Sequence, residues 1–411
     1  MEQIKPGSKN LTESEIGLIL LSFIAFVSLG LPEGLLGVAW PSMRESFSRP
    51  LDSLGVLLSA IMAGYLISSF MIGRLIARLG VGRLLAASCF AAGVGLIGYT
   101  LVPAWWMIVV SGVLTGLGAG AIDASLNVYV AANFGKGLMQ WLHASWGIGI
   151  TTGPVIMTAG IHHFNDWRWG YAWVGASQFA LAACFVLTSP LWQRCAFRSA
   201  SGKDRKPADD QTPSLETLRQ PAVRLSILFF FLCAGIEATL GNWVYSLLTE
   251  SRGLLPRAAG LWTGGYWAAF TASRVFVGFY AKRIGTHALI CVCLLAAFGG
   301  AMLLWWNPGG IGLLGVVIVG FSMAPVFPGL VSGTSGRVGL RYAANTIGMQ
   351  ICGAGLGAAI LPWAGGVLAQ RITLEILPAY LGFWVAALFG LYSWSASTGG
   401  AESTLELKER R

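Results

Sequence analysis

Five ionisable side chains stand where the surrounding sequence is otherwise apolar: Glu33, Asp123, His143, Glu237 and Arg274. Carboxyls and an imidazole can take up and release protons, and with amides they can bond hydroxyl groups on a polar ligand. Asn127 lies four residues after Asp123, on the same face if the stretch is helical. An ionised carboxylate in hydrocarbon costs at least about 2.5–3.5 kcal/mol. The chain can carry these groups only where they face protein or water. A static ion-pair network holding helices together is the structural alternative.

Each acid sits in a setting of its own. Glu33 follows Pro32 between Gly30 and Gly34, which loosen a helix and free backbone carbonyls. It reads either as a substrate ligand or as a packing acid. Arg274 cannot shed its charge, so it needs a carboxylate or water. Glu237, on the neighbouring run, is the expected partner. A carboxyl beside a guanidinium stays ionised, so the acid without that neighbour is the better proton carrier. That favours Asp123 over Glu237. His143 either relays a proton, donates to substrate, or bonds a backbone carbonyl in a packed helix. Asn127, Asn242, Trp243, Tyr266, Gln350 and Glu33 offer the amide, aromatic and carboxyl groups that bind polyhydroxylated compounds. Trp243 gains weight from its place beside Asn242 and near Glu237.

These residues need long apolar elements to hold them. The chain has 411 residues, of which 55% are hydrophobic and 11% charged, and its mean hydropathy is +0.67. Soluble domains carry about 25% charged residues. Twelve apolar runs lie between residues 15 and 396, each near the roughly 20 residues that span a bilayer. The class is therefore an all-α integral membrane protein with twelve transmembrane helices. The first run is too long for a cleavable signal and lacks a small-residue cleavage site. Residues 191–221 are the only long polar segment and read as a linker. The expected units are a six-helix bundle over 1–190, that linker, a second six-helix bundle over 222–397, and a tail over 398–411.

The net charge of +9 does not mark a nucleic-acid binder, because the basic residues fall in short loops. With both termini cytoplasmic, twenty basic residues lie inside and six outside, with Arg274 in a span. A multi-pass location in a cell membrane, a bacterial inner membrane, follows as the expectation. The seven cysteines show no metal-ligand spacing. Gly116, Gly118 and Gly120 read as close helix packing. No phosphate-binding lysine motif is present, which argues against ATP as the energy source. No metal or organic cofactor is expected. The coupling ion is expected to be a proton, with Na⁺ as the alternative.

The two halves repeat. Gly73, Arg78 and Gly80 recur as Gly278, Arg283 and Gly285 at an offset of 205, and Glu33-x-x-x-Gly37 recurs as Glu237-x-x-x-Gly241 at 204. Trp40 and Trp243 follow closely behind. A parallel duplication of six helices, with a pseudo-two-fold axis along the membrane normal, explains both.

Gly73-Arg-Leu-Ile-Ala77-Arg78-Leu-Gly80-Val-Gly-Arg83 resembles the loop motif of the major facilitator superfamily, G-x-L-x-D-R-x-G-R, with Ala77 in place of the acid. Lys282 stands there in the second half. Within that superfamily the chain is most similar to the fucose permease-like sugar:proton symporters. Asp123-x-x-x-Asn127, Gly235-Ile-Glu237 with Trp243, and Gly320-Phe-Ser-Met-Ala-Pro325-Val-Phe-Pro328 carry the likeness, with Gly355-x-Gly357 and Pro362. The resemblance implies the major facilitator fold and a monomer. It places the first, fourth and seventh spans around a central cavity, with Asp123 where such symporters hold a protonatable acid.

Uptake of a sugar or related polar molecule with a proton is thus the leading expectation. Proton-coupled export of a drug or metabolite is the alternative, kept open by Gly149-x-x-x-Gly153-Pro154, which matches part of an antiporter motif. Val155-Ile-Met-Thr158 lack that motif's closing glycines. An enzyme or receptor would need a nucleophile–base pair or a signalling domain, and neither stands out.

Overall fold

The structure is a computed structural model that describes residues 13–133, 136–200, 214–307 and 310–409. The middle of the expected linker, 201–213, lies outside these. The described elements are helices. The first half holds α1 (Glu13–Ser46), α2 (Leu54–Phe70, continued by Ile72–Leu79), α3 (Val81–Leu101), α4 (Trp105–Asn133), α5 (Lys136–Phe164) and α6 (Arg168–Ala200). The second half holds α7 (Pro221–Ser246, prolonged by Leu247–Ser251), α8 (Pro256–Ile284), α9 (Thr286–Trp306), α10 (Gly312–Met323, continued by Val326–Ser332 and Thr334–Val338), α11 (Leu340–Arg371) and α12 (Ile376–Glu409).

Among the described residues ten helices are long and apolar enough to cross a membrane. The exceptions, α5 and α8, have 29 residues each and are long enough. They pack on each other across the two halves, so much of their surface faces protein and need not be lipid-soluble. Outward faces elsewhere carry exposed Leu20, Ile24, Phe90, Trp106, Leu187, Val292 and Phe383, as a lipid-facing surface requires.

The duplication is visible in the packing. In the first half α1 packs on α5, α2 on α4, and α3 on α4 and α6. In the second half α7 packs on α11, α8 on α10, and α9 on α10 and α12. Every pairing recurs six helices later. Between the halves α5 meets α8 and α2 meets α11, two contacts that a two-fold rotation exchanges, while α1 meets α7. The result is two six-helix bundles related by a pseudo-two-fold axis.

The repeated glycines explain why the sequence repeats where it does. Gly80 has φ 74° and Gly285 φ 82°, in a region that side chains strain to enter. Each is the sharp link into the next helix, α3 or α9. Gly37 and Gly241 meet where α1 crosses α7: a Cβ on Gly37 would lie 2.6 Å from the Gly241 carbonyl oxygen.

Two segment ends differ from the expected boundaries. Helix α6 runs past residue 191, the expected start of the linker, to Ala200. Trp192 is fully buried, its ring 4.6 Å from Tyr129 and 5.5 Å from Phe185 between centroids. That burial draws the helix onward. The last linker residues form a short helix, Ser214–Arg219. Its Glu216 accepts bonds from Arg341 and Tyr342, both at 3.3 Å. Past residue 398 the expected tail continues α12.

Candidate transport site

Glycines set the register of the first-half residues. A Cβ on Gly116 would lie 1.9 Å from the Ile61 carbonyl oxygen, and one on Gly120 2.3 Å from that of Tyr65. Helices α2 and α4 therefore touch backbone to backbone. One turn after Gly120, Asp123 accepts a hydrogen bond from the Tyr65 hydroxyl. Asn127 donates to the other carboxyl oxygen at 2.8 Å and to the Asp123 carbonyl at 3.0 Å. His143 of α5 stands close enough to Asp123 to interact electrostatically, with its ring edge-on to Phe26 at 5.5 Å.

Glu33 and His143 are exposed although both lie among helices. The surface they expose belongs to the interior between the halves. Glu33 interacts electrostatically with Asp123 and Arg274. Asp123 and Asn127 are half-buried beside it.

The second-half residues divide into two groups. Glu237 and Arg274 are half-buried and interact electrostatically. The expected direct pair is not formed: Arg274 has no carboxylate within 4.0 Å among the described residues. Its guanidinium lies instead over Phe270 at 4.4 Å and Trp146 at 5.4 Å from the ring centroids. Aromatic faces attract a cation, more so where water is scarce. The Nε of Arg274 is buried without a partner. Glu237 takes a contact from the Cys233 thiol at 3.5 Å. Asn242 is half-buried and donates to the Ala238 carbonyl at 2.8 Å.

Three expected ligands are enclosed in this conformation. Trp243 is buried and donates to the Pro362 carbonyl at 2.8 Å. Tyr266 is buried, its hydroxyl donating to the Glu237 carbonyl at 2.9 Å. Gln350 is fully buried and donates to Ser226 at 2.6 Å and Thr334 at 3.0 Å. Their polar groups are occupied in holding helices together, because a buried donor must find an acceptor.

Tyr65, Trp146 and Phe270 were not among the expected site residues. A tyrosine hydroxyl in an apolar span needs a partner, and that need was the signal for Tyr65. Nothing in the sequence separates Trp146 or Phe270 from the other aromatics.

The two halves are tied together along part of their length. Arg44 on α1 pairs with Glu250 just past α7. The Leu51 N–H donates to Gln370 at 2.9 Å. Thr271 on α8 donates to the Gly147 carbonyl at 3.1 Å and stands 3.3 Å from Thr151. These described bonds run from the middle of the spans to the end where α1 stops.

The chain is 22% identical over 393 residues to the glucose/mannose transporter GlcP of Bacillus subtilis (strain 168), covering 91% of this chain and 94% of that one. It is 24% identical over 389 residues to the human sodium-dependent glucose transporter 1, covering 84% of this chain and 72% of that protein. The crystal structure of the E. coli fucose:proton symporter FucP superposes with a TM-score of 0.60 at 15% identity, over 93% of this chain and 99% of that one. The family model of the Major Facilitator Superfamily matches residues 18–362. With that match, the duplicated bundles and the shared interior, the chain belongs to the Major Facilitator Superfamily of membrane transporters.

Proposed function

We propose that this transporter takes up a sugar or a related polar small molecule together with a proton, by alternating access between its two halves. The observation that carries the reading is the meeting of Glu33, Asp123 and His143 from one half with Glu237 and Arg274 from the other in one interior. A site shared by two rocking bundles at mid-membrane is what alternating access requires. Sugars appear in the names of the relatives GlcP and FucP, and the latter is named as a proton symporter.

Asp123 is the proposed proton carrier, bonded by Tyr65 and Asn127. Glu33, Asn127 and Asn242 are the proposed substrate contacts accessible in this state. The basic residues favour cytoplasmic termini in a bacterial inner membrane. In that orientation the end tied by Arg44 and Glu250 faces outside, and the site opens to the cytoplasm.

The test is uptake of labelled glucose, mannose and fucose into proteoliposomes, with an inward proton gradient and with Na⁺ replaced by choline. The expected result is accumulation driven by the proton gradient and indifferent to Na⁺. Accumulation that follows Na⁺ alone reassigns the ion, which the name of the human relative keeps in view. Failure of all three sugars to enter or to exchange overturns the substrate class.

A further inference from the structure

We propose that Glu375 is a positioning residue of the outer closure: by engaging Arg252 it leaves Glu250 to Arg44 of the other half. Glu250, Ser251 and Arg252 follow one another where the end of α7 opens into a wider turn. There the Arg252 N–H donates to the Leu247 carbonyl, five residues back, at 3.1 Å. Such turns recur at functional sites. This one sends neighbouring side chains to different partners. Glu250 pairs with Arg44 across the halves. Ser251 donates to Glu375 at 2.9 Å, and Arg252 grips the same carboxylate from Nε at 2.9 Å and Nη2 at 2.8 Å. That Nη2 also donates to the Leu304 carbonyl, near the end of α9, at 2.7 Å.

Two cations are thus shared out between two acids. Glu250 and Arg252 stand two residues apart, yet among the described residues no ion pair joins them. The Arg252 side chain is 8% exposed, whereas that of Arg44 is 28% exposed. The more enclosed cation has the greater need of an acid, because less water is left to solvate it. Glu375 meets that need with a two-point grip, the strong geometry for a guanidinium. Without Glu375, Arg252 would retain the Leu304 carbonyl, and its Nη1 is already buried without a partner. The acid nearest to it along the chain is Glu250. Arg252 would then compete with Arg44 for that carboxylate, and the tie between the halves would loosen. A clamp that served the fold alone would suffer alike from loss of either partner. Competition for Glu250 makes the loss unequal: removing Glu375 frees a buried cation, and removing Arg252 frees none.

The proposal rests on the rocking of two halves and the orientation proposed above. The test places a cysteine in the interior, Asn242→Cys, and follows its reaction with a membrane-impermeant maleimide from outside, in right-side-out vesicles. The rate is read above that of the same chain without the added cysteine, and no substrate is needed. Glu375→Gln is expected to raise it about two- to fivefold, no further than Glu250→Gln does. Arg252→Gln is expected to stay near wild type, and Glu375→Gln/Arg252→Gln to return toward it. In the Glu250→Gln background Glu375→Gln is expected to add nothing. A wild-type rate in Glu375→Gln, a double variant as fast as Glu375→Gln, or an equal rise in the Glu250→Gln background overturns the proposal. So does a wild-type rate in Glu250→Gln, which denies the outer tie itself. Labelling that rises equally from inside and outside marks a loosened fold and overturns it too. If Glu375→Gln is not recovered folded, Arg252→Gln decides: a rate as high as that of Glu250→Gln overturns the proposal, and one near wild type upholds it. Failure of the sugars to enter would sink the substrate reading and leave these rates unchanged.

Discussion

Gly37 and Gly241 touch across the pseudo-two-fold axis: a Cβ on Gly37 would stand 2.6 Å from the Gly241 carbonyl oxygen and 3.2 Å from Cα of Asn242. Each glycine lies one turn after the acid of its repeat, Glu33 or Glu237. The crossing of α1 and α7 thus places the two carboxyls symmetrically about the interior. Gly37→Ala pushes backbone against backbone, which cannot give as a flexible side chain can. It is expected to open this crossing and lower transport about tenfold or more, since overpacking costs about 1–3 kcal/mol. Cysteine accessibility near the crossing, in the variant and in wild type, is the measurement. Unchanged accessibility would show that the crossing is not tight.

The Arg44–Glu250 pair ties the halves at one end and is a quarter exposed on each side, at 28% and 25%. Pairs with such access to water are worth about 1 kcal/mol or less. Glu250→Gln is therefore expected to shift the balance between conformations by no more than about fivefold. Exchanging the charges, Arg44→Glu with Glu250→Arg, should restore it. Labelling of a cysteine in the interior from that face reads the shift. A swap as defective as the single variant would deny the pair this role.

Much of this arrangement was legible beforehand, and its limits have physical causes. The repeats at Glu33/Glu237 and Gly80/Gly285 gave the duplication, because a backbone crossing and a positive φ both demand glycine at fixed places. The cost of a charge in hydrocarbon picked out the five interior residues. The resting place of Arg274 was not legible. A cation can be satisfied by a carboxylate or by aromatic rings, and a sequence does not say which lies nearer. Nor could Trp243, Tyr266 and Gln350 be told from cavity residues, since an amide or indole serves a ligand or a neighbouring carbonyl equally well. That α6 continues past residue 191 is not legible either, because Trp192 is buried by Tyr129, far away in the chain.

Because Arg274 rests on Phe270 and Trp146, Glu237→Gln should be milder than the breaking of a direct pair. Removing one partner of a buried pair costs about 3–5 kcal/mol. Glu237→Gln is expected to cost less than that, and Phe270→Leu to lower stability by a comparable amount through loss of the cation's platform. Thermal unfolding in detergent compares the two. A larger loss from Glu237→Gln than from Phe270→Leu would return the carboxylate to first place.

Glu375, between α11 and α12, accepts bonds from Arg252 at 2.9 and 2.8 Å and from Ser251 at 2.9 Å. The Arg252 hydrogen bonds hold its carboxyl below the ordinary value of 4.5. A group so shifted stabilises the fold above its unfolded value, and that contribution is lost as pH falls through the folded one. The melting temperature should therefore drop below about pH 4.5, modestly because the carboxylate is 36% exposed. Glu375→Gln should flatten that part of the curve. A variant with the wild-type acid limb would show the loss to arise elsewhere.

Asp123 sits between a phenol and an amide, accepting from Tyr65 and Asn127 with no cation bonded to it among the described residues. Closing the interior around an anion without a partner is costly. A proton on Asp123 removes that charge and lets the dry intermediate form. Asp123→Asn imitates the protonated carboxyl permanently. It is expected to keep substrate binding and counterflow at equal pH, and to lose accumulation driven by a proton gradient. Tyr65→Phe leaves the acid in place and withdraws one donor. It should keep accumulation, with a displaced pH profile and a rate lowered by about tenfold or less, the scale of a single hydrogen bond to a charged group. Labelled uptake in proteoliposomes, with and without the gradient and beside counterflow, measures all of these. Gradient-driven accumulation by Asp123→Asn at the wild-type level would take Asp123 out of the mechanism and move the coupling role to Glu33 or Glu237.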